Sequence, residues 1–84
     1  MKKKKQGIPV SQRAVEQRIN RALKEYDEQL RHTRSARAQF DFGDYYIVNV
    51  MKNFINEHHV DLEDKARELK VLQDYEYLAL EGEN

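Results

Sequence analysis

Residues 40–60 read FDFGDYYIVNVMKNFINEHHV, from Phe40 to Val60. Five of the eight aromatic residues in the chain fall between Phe40 and Phe54. Aromatic and β-branched side chains suit a pleated, half-buried surface, so Tyr45 to Val50 reads as a strand, with Phe40 and Phe42 alternating ahead of Gly43. Met51-Lys52-Asn53 interrupts the run, and Asn53 tolerates the left-handed backbone that a short hairpin loop requires. Phe54 to His59 then returns as the second strand. The stretch predicts a β-hairpin that supplies much of the core volume.

On the N-terminal side the period changes from two to between three and four. Val15, Ile19, Ala22, Leu23, Tyr26 and Leu30 fall within an arc of roughly 100°, the buried stripe of an amphipathic helix. Ser11 is suited to cap it, and Val10 can staple against Val15. A first helix is expected from about Gln12 to about Arg31. His32 to Gln39 reads either as a short helical turn or as a loop. On the C-terminal side Asp61 can cap another helix, with Glu63 and Asp64 in the first turn, where the helix dipole favours negative charge. Leu62, Ala66 and Leu69 form its apolar face, with Val71 and Leu72 closing it. The tail QDYEYLALEGEN fits either a continuation of that helix or a third strand through Tyr75, Tyr77 and Leu78.

These elements predict an α+β fold of one small domain, ordered α–β–β–α, with a hairpin covered on one face by two helices. Residues 1–10 are expected as a flexible basic arm broken by Gly7 and Pro9, residues 11–80 as the domain and residues 81–84 as a disordered tail. A two-stranded sheet is marginal alone, so helices or a second subunit must complete it.

The motifs RINR (18–21), GDYYIV (43–48) and VDLE with ARELKVL (60–72) resemble a small bacterial protein family associated with plasmids and phages. The resemblance covers Ser11 to Leu72 and rests on fold-like motifs. It implies a mobile-element setting and brings no catalytic or binding residues.

The chain has 84 residues and a formal net charge of zero, which hides a division. Residues 1–40 hold eleven cations against four acids, a surplus of +7, and residues 41–84 hold four against eleven, a deficit of −7. Such asymmetry between halves hints at a partner. On the first helix Arg13, Lys24 and Arg31 line up opposite the apolar stripe with Arg21 beside them, and Arg34, Arg37 and Lys2 to Lys5 extend the track. Cations along one ridge are what phosphate contact requires. The plainer reading is a solvated face, because Glu25 and Glu28 sit one turn from Arg21 and Lys24, and Asp27 one turn before Arg31.

Chemistry is poorly represented. With no cysteine, disulfides, thiolate metal sites and a cysteine nucleophile are all excluded. Glu57-His58-His59 invites a metal reading, but adjacent strand residues point to opposite faces and His32 is remote, so no metal is expected. Ser11 and Ser35 are the only serines, and Asp41 and Asp44 fit the turn entering the hairpin. The isolated glycines make no phosphate-cradling loop. No enzyme activity and no cofactor are expected. The lysine run is followed by no apolar stretch, so neither a secretory leader nor a membrane span is expected, and a cytoplasmic protein is.

A hairpin covered on one side exposes alternate side chains of the other. Tyr45, Ile47, Tyr46 and Ile55 are the candidate contact surface for a larger protein or nucleoprotein, or for a second copy through the hairpin. The expected function is a non-enzymatic interaction protein; in a mobile-element setting this includes an inhibitor of a host nucleic-acid-targeting defence system. The alternative is a small DNA- or RNA-binding protein using Arg13, Arg21, Lys24, Arg31, Arg34 and Arg37 with the lysine arm.

Overall fold

In the computed structural model, residues 7–79 are described. The order is β1 (Ile8–Val10), α1 (Gln12–Leu23), a 3-10 turn (Lys24–Tyr26), β2 (Glu28–His32), α2 (Ala36–Phe42), β3 (Tyr45–Asn49), β4 (Phe54–His58), α3 (Leu62–Glu68) and β5 (Glu76–Leu78). The fold is α+β. The α–β–β–α frame is present as α1, β3, β4 and α3, and three further strands and one helix are built onto it.

Ser11 caps α1 as its sequence suggests, its hydroxyl accepting from the Ala14 N–H at 3.1 Å. The helix, however, ends at Leu23 and not near Arg31. Asp27 takes a left-handed conformation with φ 59° and turns the chain back. The returning backbone is then held by Asn20, whose side-chain oxygen accepts from the Leu30 N–H at 2.7 Å. Leu30 stays buried because β2 runs back along the same core that the helical stripe faces. A seven-residue step from Leu23 to Leu30 therefore satisfies a helix and a reversal alike. Tyr26, assigned to the stripe, is exposed at the turn.

The hairpin forms where expected, and Asn53 has φ 61°. Its sheet has three strands, antiparallel in the order β2–β3–β4. Leu30 pairs with Ile47 and Arg31 with Tyr46 on one side of β3. On the other side Tyr46 pairs with His58 and Ile47 with Glu57, and then the register slips so that Val48 pairs with Ile55. This bulge leaves Asn56 as the extra residue and places Ile55 and Glu57, two apart in sequence, on opposite faces.

Phe40 and Phe42 lie in α2, not in an alternating strand. Ser35 caps this helix by accepting from the Ala38 N–H at 3.1 Å, and Gly43 ends it at φ 80°. A Cβ at Gly43 would stand 2.7 Å from the His59 Cα, so only glycine fits there. Phe40 is left 87% exposed.

Asp61 caps α3, accepting from the Asp64 N–H at 3.0 Å. After α3 the tail is a strand and not a helix. It pairs with β1, in parallel, with Ile8 opposite Glu76 and Val10 opposite Leu78. Ile8–Val10 is thus part of the fold, although the sequence assigns it to the basic arm. Pro9 sits between the two bonded positions, Ile8 N–H to Tyr75 O and Ala79 N–H to Val10 O, so its missing N–H costs nothing. Lys2 to Lys5 and residues 81–84 lie outside the described residues.

One core cluster joins Val15, Ile19 and Leu23 of α1, Leu30 of β2, Tyr45 and Ile47 of β3, and Leu62 and Ala66 of α3, with Val10 and Leu72 at its edge. α1 packs against both α3 and β2. Both helices cover the sheet face from which Ile47 projects. Among the described residues no helix is long and apolar enough to cross a membrane.

Candidate functional site

The strand β3 divides its side chains between two surfaces. Tyr45 and Ile47 point into the core, 5% and 0% exposed. This corrects their assignment to an exposed contact face: alternation separates them from Tyr46 and Val48, but the helices decide which set is covered. The Tyr45 ring stacks on His32 at 4.6 Å. Its hydroxyl donates to Glu16 and accepts from the Gln12 amide. Burial, with the Glu16 bond behind it, pushes the Tyr45 hydroxyl up to about 12. The phenol is a neutral structural group.

The opposite face carries two cross-strand rows. Arg31, Tyr46 and His58 form one row across β2, β3 and β4, and Gln29, Val48 and Ile55 form the next. Phe42 reaches this face from α2, its ring 5.6 Å from Tyr46 and 6.3 Å from His58. Tyr46, Ile55 and Phe42 are half-buried, Arg31, Gln29 and His58 exposed. Val48 is buried by its neighbours yet stands apart from the core cluster. Tyr46 and Ile55, of the four expected contact residues, are therefore the two that face outward. Phe42 and His58 join them, and only the helical position of Phe42 and the bulge in β4 place them there.

The cations divide as well. Arg13 and Arg21 stand on α1, with Lys24 opening the 3-10 turn, all on the helix-covered side of the sheet, whereas Arg31 projects from its open face. The six predicted cations do not form one ridge, because the chain reverses at Asp27. Arg34 and Arg37 stand on the 33–35 connection and the first turn of α2. Both leave the end of β2 where His32 pairs with Tyr45. A shallow groove of about 750 Å³ runs between α1 and the start of β2, with Arg21 and Lys24 on one wall and Asp27, Glu28 and Val50 on the other.

The reversal also removes the expected pairing of Arg21, Lys24 and Arg31 with Glu25, Glu28 and Asp27. Among the described residues the ion pairs are Arg18–Glu76 at 2.8 Å, Lys65–Glu57 at 2.9 Å, Lys65–Glu68 at 3.2 Å and Arg67–Glu63 at 3.0 Å. Every acid in these pairs belongs to the C-terminal half. Arg13, Arg21, Lys24, Arg34 and Arg37 are exposed with no acid within ion-pair distance among the described residues, and Arg31 is held only by Gln29, which accepts from its Nε at 2.8 Å. Arg18, which sequence patterning does not single out, is the structural cation of the N-terminal half. It grips Glu76 with both terminal nitrogens and also donates to the Val71 carbonyl. The Arg18 bond holds the Glu76 carboxyl below the usual carboxylate range.

His58 and His59 touch edge to face at 5.5 Å, and the His59 Nε2 lies 3.1 Å from the Asp41 carbonyl oxygen. Among the described residues no three His, Asp or Glu side chains gather as metal ligands would. The two serines cap helices, and Asp44 accepts from the Gln39 amide. The arrangement offers surfaces for contact: a sheet face carrying aromatic rings and Arg31, and a set of arginines without an ion-pair partner among the described residues. The chain matches no family model, no curated protein and no solved structure.

Proposed function

We propose that this protein is a non-enzymatic nucleic-acid-binding protein. The observation that carries the reading is the unequal use of charge. Four acids of the C-terminal half are drawn into ion pairs and Asp61 into a helix cap, while Arg13, Arg21, Arg34 and Arg37 are exposed and without an ion-pair partner among the described residues, Arg18 with its bond to Glu76 being the exception. A phosphate backbone is the partner that unpaired, exposed guanidinium groups suit best, through bidentate bonds and counterion release.

The test is fluorescence anisotropy with labelled single- and double-stranded oligonucleotides at about 50 and about 200 mM salt. For a protein making several phosphate contacts, affinity falls steeply between these two concentrations, by a factor that grows with the number of contacts. Arg34→Glu with Arg37→Glu should weaken binding to every sequence alike and flatten the salt dependence by close to one unit of log–log slope per lost contact. Binding that is absent at low salt, or unchanged by salt, would end this reading.

A protein partner is the second reading, favoured by one observation. The hairpin tip exposes Val50, Met51 and Phe54, and the Val50 N–H bonds the Asp27 carbonyl at 2.9 Å, beside the turn that carries the exposed Tyr26. Exposed apolar clusters of this kind mark contact sites. Inhibition of a host nucleic-acid-targeting system, the finer form of this reading, rests on the mobile-element resemblance. Met51→Lys with Phe54→Asp would abolish a protein complex and leave oligonucleotide binding intact.

A further inference from the structure

Resting on the nucleic-acid reading above, we infer that the open face of the sheet is a base-stacking platform centred on Tyr46, and that the ligand is single-stranded. The cross-strand row Arg31–Tyr46–His58 puts a cation, a phenol ring and an imidazole side by side on one surface. Phe42 extends the aromatic surface at one end, 5.6 Å from Tyr46. Neither α1 nor α3 reaches this face, since both pack on the side of Ile47 and Leu30.

The chemistry of the row selects the strand form. Bases in a duplex are already stacked on one another and present only their edges in the grooves. A ring lying on a sheet can stack only on a base that is unstacked, as in single strands and loops. The row also joins stacking to phosphate contact. Arg31 uses its Nε on Gln29, which leaves both terminal NH2 groups without a protein partner among the described residues. Arg34 and Arg37 leave the same end of β2. A strand whose bases lie on Tyr46 and Phe42 would run its phosphates past these three arginines. The acids at this end are Asp41 in the last turn of α2 and Asp44 in the turn before β3, and Asp44 is engaged by Gln39.

The test uses the full chain and an oligothymidylate of about ten nucleotides, within the span one small domain covers. Tyr46→Ala should weaken binding at least about fivefold and up to about a hundredfold, the range for losing one stacked base, with Tyr46→Phe restoring most of it. The chain has no tryptophan, so Tyr46→Trp introduces a single reporter whose fluorescence should be quenched by the oligothymidylate and not by a duplex of equal length. Thermal unfolding of each variant separates a lost contact from a lost fold, and the quenching readout stands even where Tyr46→Ala unfolds.

Three results would overturn the inference, each in its own way. If the wild type binds no nucleic acid, the underlying reading fails along with it. If the wild type binds, but Tyr46→Ala binds equally well and Tyr46→Trp is not quenched, the platform alone fails and the α1 cations carry the binding. If light scattering shows a dimer that Tyr46→Ala turns into a monomer without loss of oligonucleotide affinity, the face belongs to a second copy of the chain.

Discussion

The two faces of the β2–β3–β4 sheet are made from the same strands, and they do opposite things. On the inner face Leu30, Tyr45 and Ile47 meet α1 and α3, and the polar atoms there have partners: the Tyr45 hydroxyl with Glu16 and Gln12, and Lys65 with Glu57 and Glu68. On the outer face Tyr46 and His58 meet Phe42 at the end of α2, and Arg31 keeps most of its donors free among the described residues. The difference teaches that polar satisfaction marks the surface that holds the fold, and unmet polar and aromatic groups mark the surface available to a partner.

The sharpest way to break this contrast is to exchange a charge into each face. Ile47→Asp buries an unpaired carboxylate in the core and should cost about 4 kcal/mol or more, comparable to the whole stability expected at about 0.05–0.15 kcal/mol per residue. Circular dichroism should show an unfolded chain at neutral pH. The same carboxylate at Tyr46 should leave a folded chain, because that position is only half-buried.

Alkaline unfolding probes the inner face next. The folded Tyr45 hydroxyl lies at about 12, above the ordinary tyrosine value of about 10. Between those values the unfolded chain has released this proton and the folded chain has kept it, so stability falls as pH rises through that window, and the contribution is intact below it. The loss amounts to about 2–3 kcal/mol. Tyr45→Phe should remove this part of the pH dependence, read from urea midpoints across the alkaline range, at a cost of about 1 kcal/mol at neutral pH for the lost hydrogen bonds.

The smallest effect is expected at the rim. Burial works to lower the Lys65 ammonium, and the bonds to Glu57 and Glu68 outweigh it and leave it raised. Both carboxylates are substantially exposed, at 48% and 67%, so they rehydrate when the lysine is lost. Lys65→Met should change stability by under about 1 kcal/mol in denaturant titration. A much larger loss would mean that the inner face depends on charge at its edge as much as on its apolar centre.

What the sequence reveals is what is decided locally. Ser11 and Asp61 cap their helices, Asn53 turns the hairpin and Tyr45–Asn49 is a strand, because each signal is read within a few residues. The end of α1 is different. Its helical periodicity continues to Leu30, and only the Asn20–Leu30 bond and the left-handed Asp27 convert the last turns into β2. The β1–β5 pair joins residues about seventy apart, which no local pattern encodes. The candidate surface is half legible in the sequence for the same reason. Alternation splits Tyr45 and Ile47 from Tyr46, but which set is buried depends on where α1 and α3 land. The placement of Ile55 depends on a bulge that has no simple sequence mark.

The most direct measurement is residue-resolved: an amide chemical-shift titration of the isotopically labelled chain with oligothymidylate at low salt. Shifts should be concentrated at Arg31, Arg34, Arg37, Phe42, Tyr46 and His58, with Leu30, Ile47, Leu62 and Ala66 unmoved. Shifts confined to Arg13, Arg21 and Lys24 on the other side of the sheet, or no shifts at all, would contradict it.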